Sequence, residues 1–173
     1  LVAASNELPA QGEGLEALWD RFLIRILCTC VKQEESFYKM LLDDSADHPE
    51  TTACEWQISD REYAEWQAEI RRVTLPLDVL SCITAIRHGL TSVEMQDSDL
   101  SRNVSGSDRR WKNIVKLLKT SAFVHGRTEV SMTDLLPVYY CLWSEPDESV
   151  AIRDIVIRAL FVSHTKQIAG IAS

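Results

Sequence analysis

Nowhere in these 173 residues does the pattern Gly-x-x-x-x-Gly-Lys-Ser/Thr occur, and only six glycines are present. A backbone cradle that wraps nucleotide phosphates is therefore not encoded in this stretch. No run approaches the roughly 18 consecutive apolar residues of a membrane span. The first residues hold no basic segment followed by an apolar core, so no signal peptide is visible. An initiating Met is also missing, which fits a piece of a longer protein. Positive charge is not in excess: the formal net charge of −8 weighs against nonspecific nucleic-acid binding and suits a cytoplasmic protein.

Cysteine is present but without order. The five lie at Cys28, Cys30, Cys54, Cys82 and Cys141, an odd number without regular spacing, which reads as reduced thiols rather than a disulfide framework. Cys28 and Cys30 with Cys54 and His48 could be drawn as a metal site. Neither the Cys-x-x-Cys nor the His-x-x-x-His spacing of structural zinc occurs, however, so no metal is expected and the thiols read as buried structural groups.

What the chain does have is helical periodicity over most of its length. Leu15, Leu18, Trp19 and Phe22 repeat at helical spacing, and Phe37, Met40 and Leu41 share a side of a short helix. Ser59-Asp60-Arg61-Glu62 forms a capping box ahead of Tyr63, Trp66, Ile70 and Val73. Pro76 suits a helix start, and Val79, Leu80, Ile83, Ile86 and Leu90 follow. Residues 91–107 show no periodicity and read as a long loop. Trp111, Ile114, Val115, Leu118 and Ala122 make the next helix, with Gly126 as its stop. Ser131-Met132-Thr133-Asp134 is a second capping box, before a helix that Pro137 should kink. Glu145-Pro146-Asp147 breaks the pattern before a last helix over about 150–162. Two stretches differ: residues 1–5 and the β-branched run 23–31 read as buried strands.

Three polar side chains fit none of this packing. Asn6 ends the first expected strand, where a turn Asn would be common. Arg21 lies in the first short helix, within reach of Glu16 or Asp20 as ion-pair partners. Arg109 lies at the N-terminal end of the helix opened by Ser107-Asp108, a place where a cation is unfavourable and an anionic ligand favourable. Arg25, within an apolar run, needs some partner because an isolated buried charge is costly. Arg110 follows Arg109 at about 100° around the helix. The four histidines are scattered with no nucleophile–acid arrangement, and Trp19, Trp66, Trp111 and Trp143 read as core.

A set of short segments in fixed order resembles the MoxR-type AAA+ ATPases: Ala-Ser-Asn-Glu-Leu-Pro, the stretch from Leu15 to Arg25, Ser-Asp-Arg-Arg-Trp-Lys at 107–112, and Glu62-Tyr63 with Trp66-Gln67. Thr74-Leu75-Pro76, Ser121-Ala122-Phe123, Gly126-Arg127 and Cys141-Leu142-Trp143 complete it. The resemblance runs from Leu1 to about Trp143. It implies a mainly α chain: a helical AAA+ lid bundle preceded by a two-strand α/β remnant of the nucleotide-binding core. The expected division is 1–45 core remnant, 46–58 linker, 59–145 lid, and 146–173 the start of a following helical segment. Carried over by motif, Asn6 matches sensor 1 and Arg21 the arginine finger, both catalytic, while Arg109 matches sensor 2 and binds the nucleotide. Motif position favours Arg21 over Arg25, and Arg109 over Arg110.

The resemblance further implies ATP and magnesium in the full-length protein, a hexameric ring, and remodelling of protein partners. Those associated with the family are a protein carrying a von Willebrand A domain and a lysine decarboxylase. The chain by itself, without a phosphate loop, is expected to bind no cofactor and to turn over no ATP. A stand-alone helical adaptor module is the competing reading. A helix-turn-helix around Gly126, with Lys112, Lys116 and Lys119 on one face, is a third that the acidic charge disfavours.

Overall fold

A computed structural model describes residues 2–8, 16–19, 21–43, 57–96 and 107–171. The helices are α1 (Glu16–Trp19), α2 (Glu34–Leu42), α3 (Asp60–Arg72), α4 (Leu77–Gln96), α5 (Asp108–Val124) and α6 (Glu148–Ile171). A 3₁₀ helix, η1 (Met132–Cys141), lies between α5 and α6. The expected helical bundle is there. None of the helices, among the described residues, is long and apolar enough to cross a membrane.

Contacts divide the chain into two compact units, one of Leu1–Arg25 with Glu69–Ser173 and the other of Ile26–Ala68. In the first unit the apolar positions converge. Val79, Cys82, Ile86 and Leu90 recur along α4 at steps of three and four, Trp111, Ile114, Leu118 and Ala122 along α5, and Ile152, Val156 and Ala159 along α6. α4 packs on α6 and on η1, and η1 also packs on α5 and α6. Each fully buried Leu or Ile contributes roughly 1.5–3 kcal/mol. An exposed pair such as Arg87–Asp108, at 4.0 Å, contributes less than about 1 kcal/mol. Stability of this unit therefore resides in the helix seams.

Two crossings tie the chain together within it. Thr74 and Glu129 form a parallel bridge, with the Thr74 amide donating to Thr128 O (2.9 Å) and the Val130 amide to Thr74 O (3.0 Å). Gly126 turns the chain after α5 with a φ of +69°, a conformation that a Cβ would oppose. At the α4–α6 seam, Gly89 allows a close approach: a Cβ there would meet Ile155 Cγ2 at 2.7 Å. Ile155 is held near one χ1 rotamer in its helix, so the helices themselves must give. Gly89→Ala is therefore expected to lose about 1–2 kcal/mol, its gain in helix propensity being outweighed by overpacking. Urea titration checks this, and Ile155→Ala in the same chain should make Gly89→Ala neutral or stabilising.

Several expectations are corrected. The two strands are not formed among the described residues: 2–5 and 22–32 carry no regular element. A strand must hand its N–H and C=O groups to a neighbour, and here the Arg25 amide is bonded instead to Tyr140 O, at 2.9 Å. Cys28 and Cys30, placed on that absent strand, are exposed, whereas Cys82 and Cys141 are buried. Cys54 and His48 lie outside the described residues, and among those described no group of three or more ligands could hold a metal. The start of the loop expected over residues 91–107 is helical instead, because α4 continues to Gln96; residues 97–106 lie outside the described residues. The Ser92 and Thr91 hydroxyls stay within that helix by bonding back to His88 O and Arg87 O. The helix around Pro137 is 3₁₀ rather than kinked α; the ring removes an N–H and crowds the carbonyl four residues back.

The second unit holds α2 and most of α3. Its capping box forms as expected, the Ser59 amide donating to Glu62 Oε2 at 2.9 Å and the Glu62 amide to Ser59 Oγ at 3.3 Å. The Ser59 hydroxyl, which donates to Glu62 Oε2 at 2.6 Å, and then the Ser59 amide hold the Glu62 carboxyl below its usual range. Apolar side chains of this unit stay largely uncovered: α2 buries no residue, and Phe37, Met40, Leu41, Tyr63 and Trp66 are exposed. Trp66 is thus not a core residue here. A unit this small has little interior in which to bury a helix face.

Candidate functional site

Asn6, Arg21 and Arg109 all belong to the first compact unit, and all three are exposed. Asn6 stands at the tip of a bend closed by its neighbours. The Ser5 hydroxyl donates to Glu7 O at 2.7 Å and accepts from the Glu7 amide at 3.3 Å. This is a local turn made by a hydroxyl, and it presents the intervening carboxamide outward. Arg21 follows α1 on a turn whose amide donates to Leu18 O, at 3.0 Å. The possible partner Asp20 lies outside the described residues. Among the described residues, the three side chains make no hydrogen bond or ion pair with one another.

At the start of α5 the sequence places two arginines side by side, and the fold separates them. Ser107 caps the helix, its hydroxyl accepting from the Arg110 amide at 3.2 Å. That cap sets the register: Arg110, at 7% exposure, turns into the fold, while Arg109 faces solvent. Lys112, Lys116 and Lys119 lie three, seven and ten residues after Arg109, so they continue its side of the helix. A cationic side chain at this end, beside the positive pole of the helix dipole, is suited to an anion.

Arg25 behaves differently from Arg21. It is 3% exposed, and its guanidinium donates to Trp143 O, to Trp19 O at 3.2 Å and to Ser144 Oγ at 3.5 Å. It also lies over the Trp19 ring, 4.8 Å from the centroid. The partner required by a charge in an apolar run is thus a set of carbonyls and an aromatic face. The thiol of Cys141 is pushed up to about 11 by burial, with the charges of Arg110 and Arg25 opposing the rise. It is therefore an inert, protonated group at neutral pH.

One further network was not legible in the sequence beyond its capping box. Asp134, 4% exposed, receives both guanidinium nitrogens of Arg127, at 2.6 and 2.7 Å. It also accepts from the Ser121 hydroxyl (2.7 Å) and the Ser131 amide (2.8 Å). Burial alone would raise its pKa, but the Arg127 guanidinium and these two donors outweigh it and hold the carboxyl well below the usual range. The available signal was an Arg just after a helix-ending Gly and an Asp at the third position of the next capping box. An open cleft beside this turn is lined by Glu69, Arg72, Val73, Phe123, Gly126, Arg127 and Thr128. It contains none of Asn6, Arg21 or Arg109.

The fold thus sets an outward-facing arginine at the start of α5, in a helical bundle made by α4, α5, η1 and α6. Residues 78–156 match the family model described as the AAA lid domain. The match spans α4, α5 and η1 and reaches into α6, and it supports an AAA+ ATPase lid region in this part of the chain. Two curated proteins of Methanocaldococcus jannaschii are similar over a longer stretch. The uncharacterized protein MJ0079 is 28% identical over 156 residues, covering 90% of this chain and 37% of the relative. The uncharacterized protein MJ0812 is 30% identical over 148 residues, covering 86% of this chain and 35% of the relative. The chain thus spans little more than a third of the length of these relatives.

Proposed function

We propose that this chain is the C-terminal part of a MoxR-type AAA+ ATPase, similar to the bacterial regulatory ATPase RavA, which couples ATP hydrolysis to remodelling or regulation of protein partners. The observation that carries the reading is the lid match over 78–156, together with Arg109 exposed at the start of α5 and its neighbour Arg110 turned inward. Arg109 acts as sensor 2, contacting phosphate within its own subunit. Asn6 acts as sensor 1: its carboxamide donates to a phosphate oxygen and accepts from the attacking water. Arg21 acts in trans on the neighbouring subunit's nucleotide.

ATP and Mg²⁺ supply the reactive phosphoryl group and the charge that balances it. This chain contributes charge and hydrogen bonds at the edges of that site, and the phosphate loop lies on chain outside the 173 residues. The ring is hexameric and cytoplasmic in this proposal. By resemblance, its partners are a von Willebrand A domain protein and a lysine decarboxylase.

Arg109→Ala in the full-length protein is expected to weaken ATP binding about tenfold to a hundredfold, the loss of one charge-assisted hydrogen bond of about 1.5–3 kcal/mol. Titration with a fluorescent ATP analogue measures it. Unchanged affinity would remove Arg109 from the site. A full-length protein that binds no ATP at all would instead favour the adaptor reading of the bundle.

A further inference from the structure

The link between Arg21 and the lid is Arg25. Between them lie only Phe22, Leu23 and Ile24, and Phe22 and Leu23 are half-buried. The Phe22 amide donates to Trp19 O (3.1 Å) and the Arg21 amide to Leu18 O (3.0 Å), so the segment leaves α1 as a tight turn. Arg25 then fastens its far end. Its amide is bonded to Tyr140 O, and its side chain reaches Trp143 O and Ser144 Oγ on one side and Trp19 O on the other. Both ends of the turn therefore meet one guanidinium, with the Trp19 ring beneath it.

The anchor is itself well fixed. Tyr140 belongs to η1, and Trp143 is buried in the core of the bundle. Directly after it, the Glu148 carboxylate accepts from the Ser144 amide (2.7 Å) and the Glu145 amide (3.1 Å), capping α6. A planar guanidinium with several fixed donors bridges two carbonyls on separate segments in a way that one ammonium cannot.

We propose that Arg25 is a positioning residue. It clamps the turn carrying Arg21 to the η1–α6 junction of the lid bundle, so that Arg21 is held in register with the lid of its own subunit. This rests on the reading of Arg21 as a trans-acting finger. A lid that responds to its own nucleotide then sets where the finger stands toward the next subunit.

The test uses the full-length ring with Arg25→Lys, Arg21→Ala and the double variant. Arg25→Lys keeps the charge but not the bridge. It is expected to lower kcat about tenfold with KM for ATP within about twofold, the pattern of an interaction made only in the transition state. Combined with Arg21→Ala it should cost nothing further, because it acts through Arg21. Hydrogen exchange of the Arg25 amide should speed up while the core amides of α4 and α5 keep their protection. Trp19→Leu, which removes the ring beneath the guanidinium, carries the same cycle where Arg25→Lys does not fold. Unchanged kcat, an effect additive with Arg21→Ala, or an Arg25 amide no faster than in the parent overturns the clamp. If Arg21→Ala itself leaves turnover intact, the finger reading fails, and with it the link to hydrolysis. The amide exchange still reports separately whether the clamp holds.

Discussion

Replacing Arg21 by Ala in the assembled full-length protein is expected to reduce ATP turnover by about 10³-fold or more while nucleotide affinity stays within about twofold. The asymmetry follows from where the charge acts. A finger from one subunit meets charge that develops on the neighbour's transferring phosphoryl group, so it stabilises the transition state and contributes little to ground-state binding. Mixed rings make the test sharp. Subunits carrying Arg21→Ala are combined with subunits whose phosphate loop is inactive, each population being inert alone. Interfaces that pair an intact finger with an intact loop should turn over, so mixing restores part of the activity. If heteromeric rings form and nothing is restored, Arg21 does not act in trans. Arg25 is then no ready substitute, because its guanidinium is 3% exposed and bonded to the carbonyls of Trp143 and Trp19.

How much of this could be read from residues alone depended on the range of the interaction. The α4 and α5 faces are local in origin: apolar residues three and four apart define a stripe whatever it packs on, and Ile86, Leu90, Ile114 and Leu118 are indeed fully buried. Caps are local as well, and Ser59–Glu62 closed as written. The run 23–31 forms no strand here, because β-branched composition reports a preference for a pleated, half-buried surface and not the neighbour that must supply one. Pro137 signalled a break but not its form, since either a kink or a 3₁₀ segment removes the conflict with the preceding turn. At the candidate site, the cap at Ser107 separated Arg109 from Arg110 through helix geometry alone. Of the partners of Arg25, Trp19 is six residues away, but Trp143 and Ser144 lie more than a hundred residues along the chain. Nothing in the sequence near Arg25 could name Trp143 or Ser144.

The hairpin between α5 and η1 is expected to be the most sensitive polar point of the bundle. In Asp134→Ala, Arg127 loses both of its carboxylate bonds, and the Ser121 hydroxyl and Ser131 amide lose their acceptor. Arg127 is partly exposed, and water can solvate it once the carboxylate is gone. The main loss is therefore the unsatisfied Ser131 amide and Ser121 hydroxyl, about 1–3 kcal/mol, which for a chain of this size lowers the melting temperature by several degrees. Asp134→Asn keeps the shape and one acceptor, so it should fall between Ala and the parent. The pH dependence supplies an independent signature. The folded carboxyl sits well below its usual range, so the unfolded chain takes up this proton first as pH falls. Its stabilisation is therefore complete above the ordinary aspartate range near pH 4 and is lost progressively below it, toward the depressed folded value. The stability gap between parent and Asp134→Asn, measured by urea titration followed by circular dichroism, should be constant from pH 7 to about pH 5 and should narrow below about pH 4. A gap that stays constant down to pH 2.5 would mean that the carboxylate charge contributes nothing at this turn. The Arg127 pair would then hold the hairpin through shape alone.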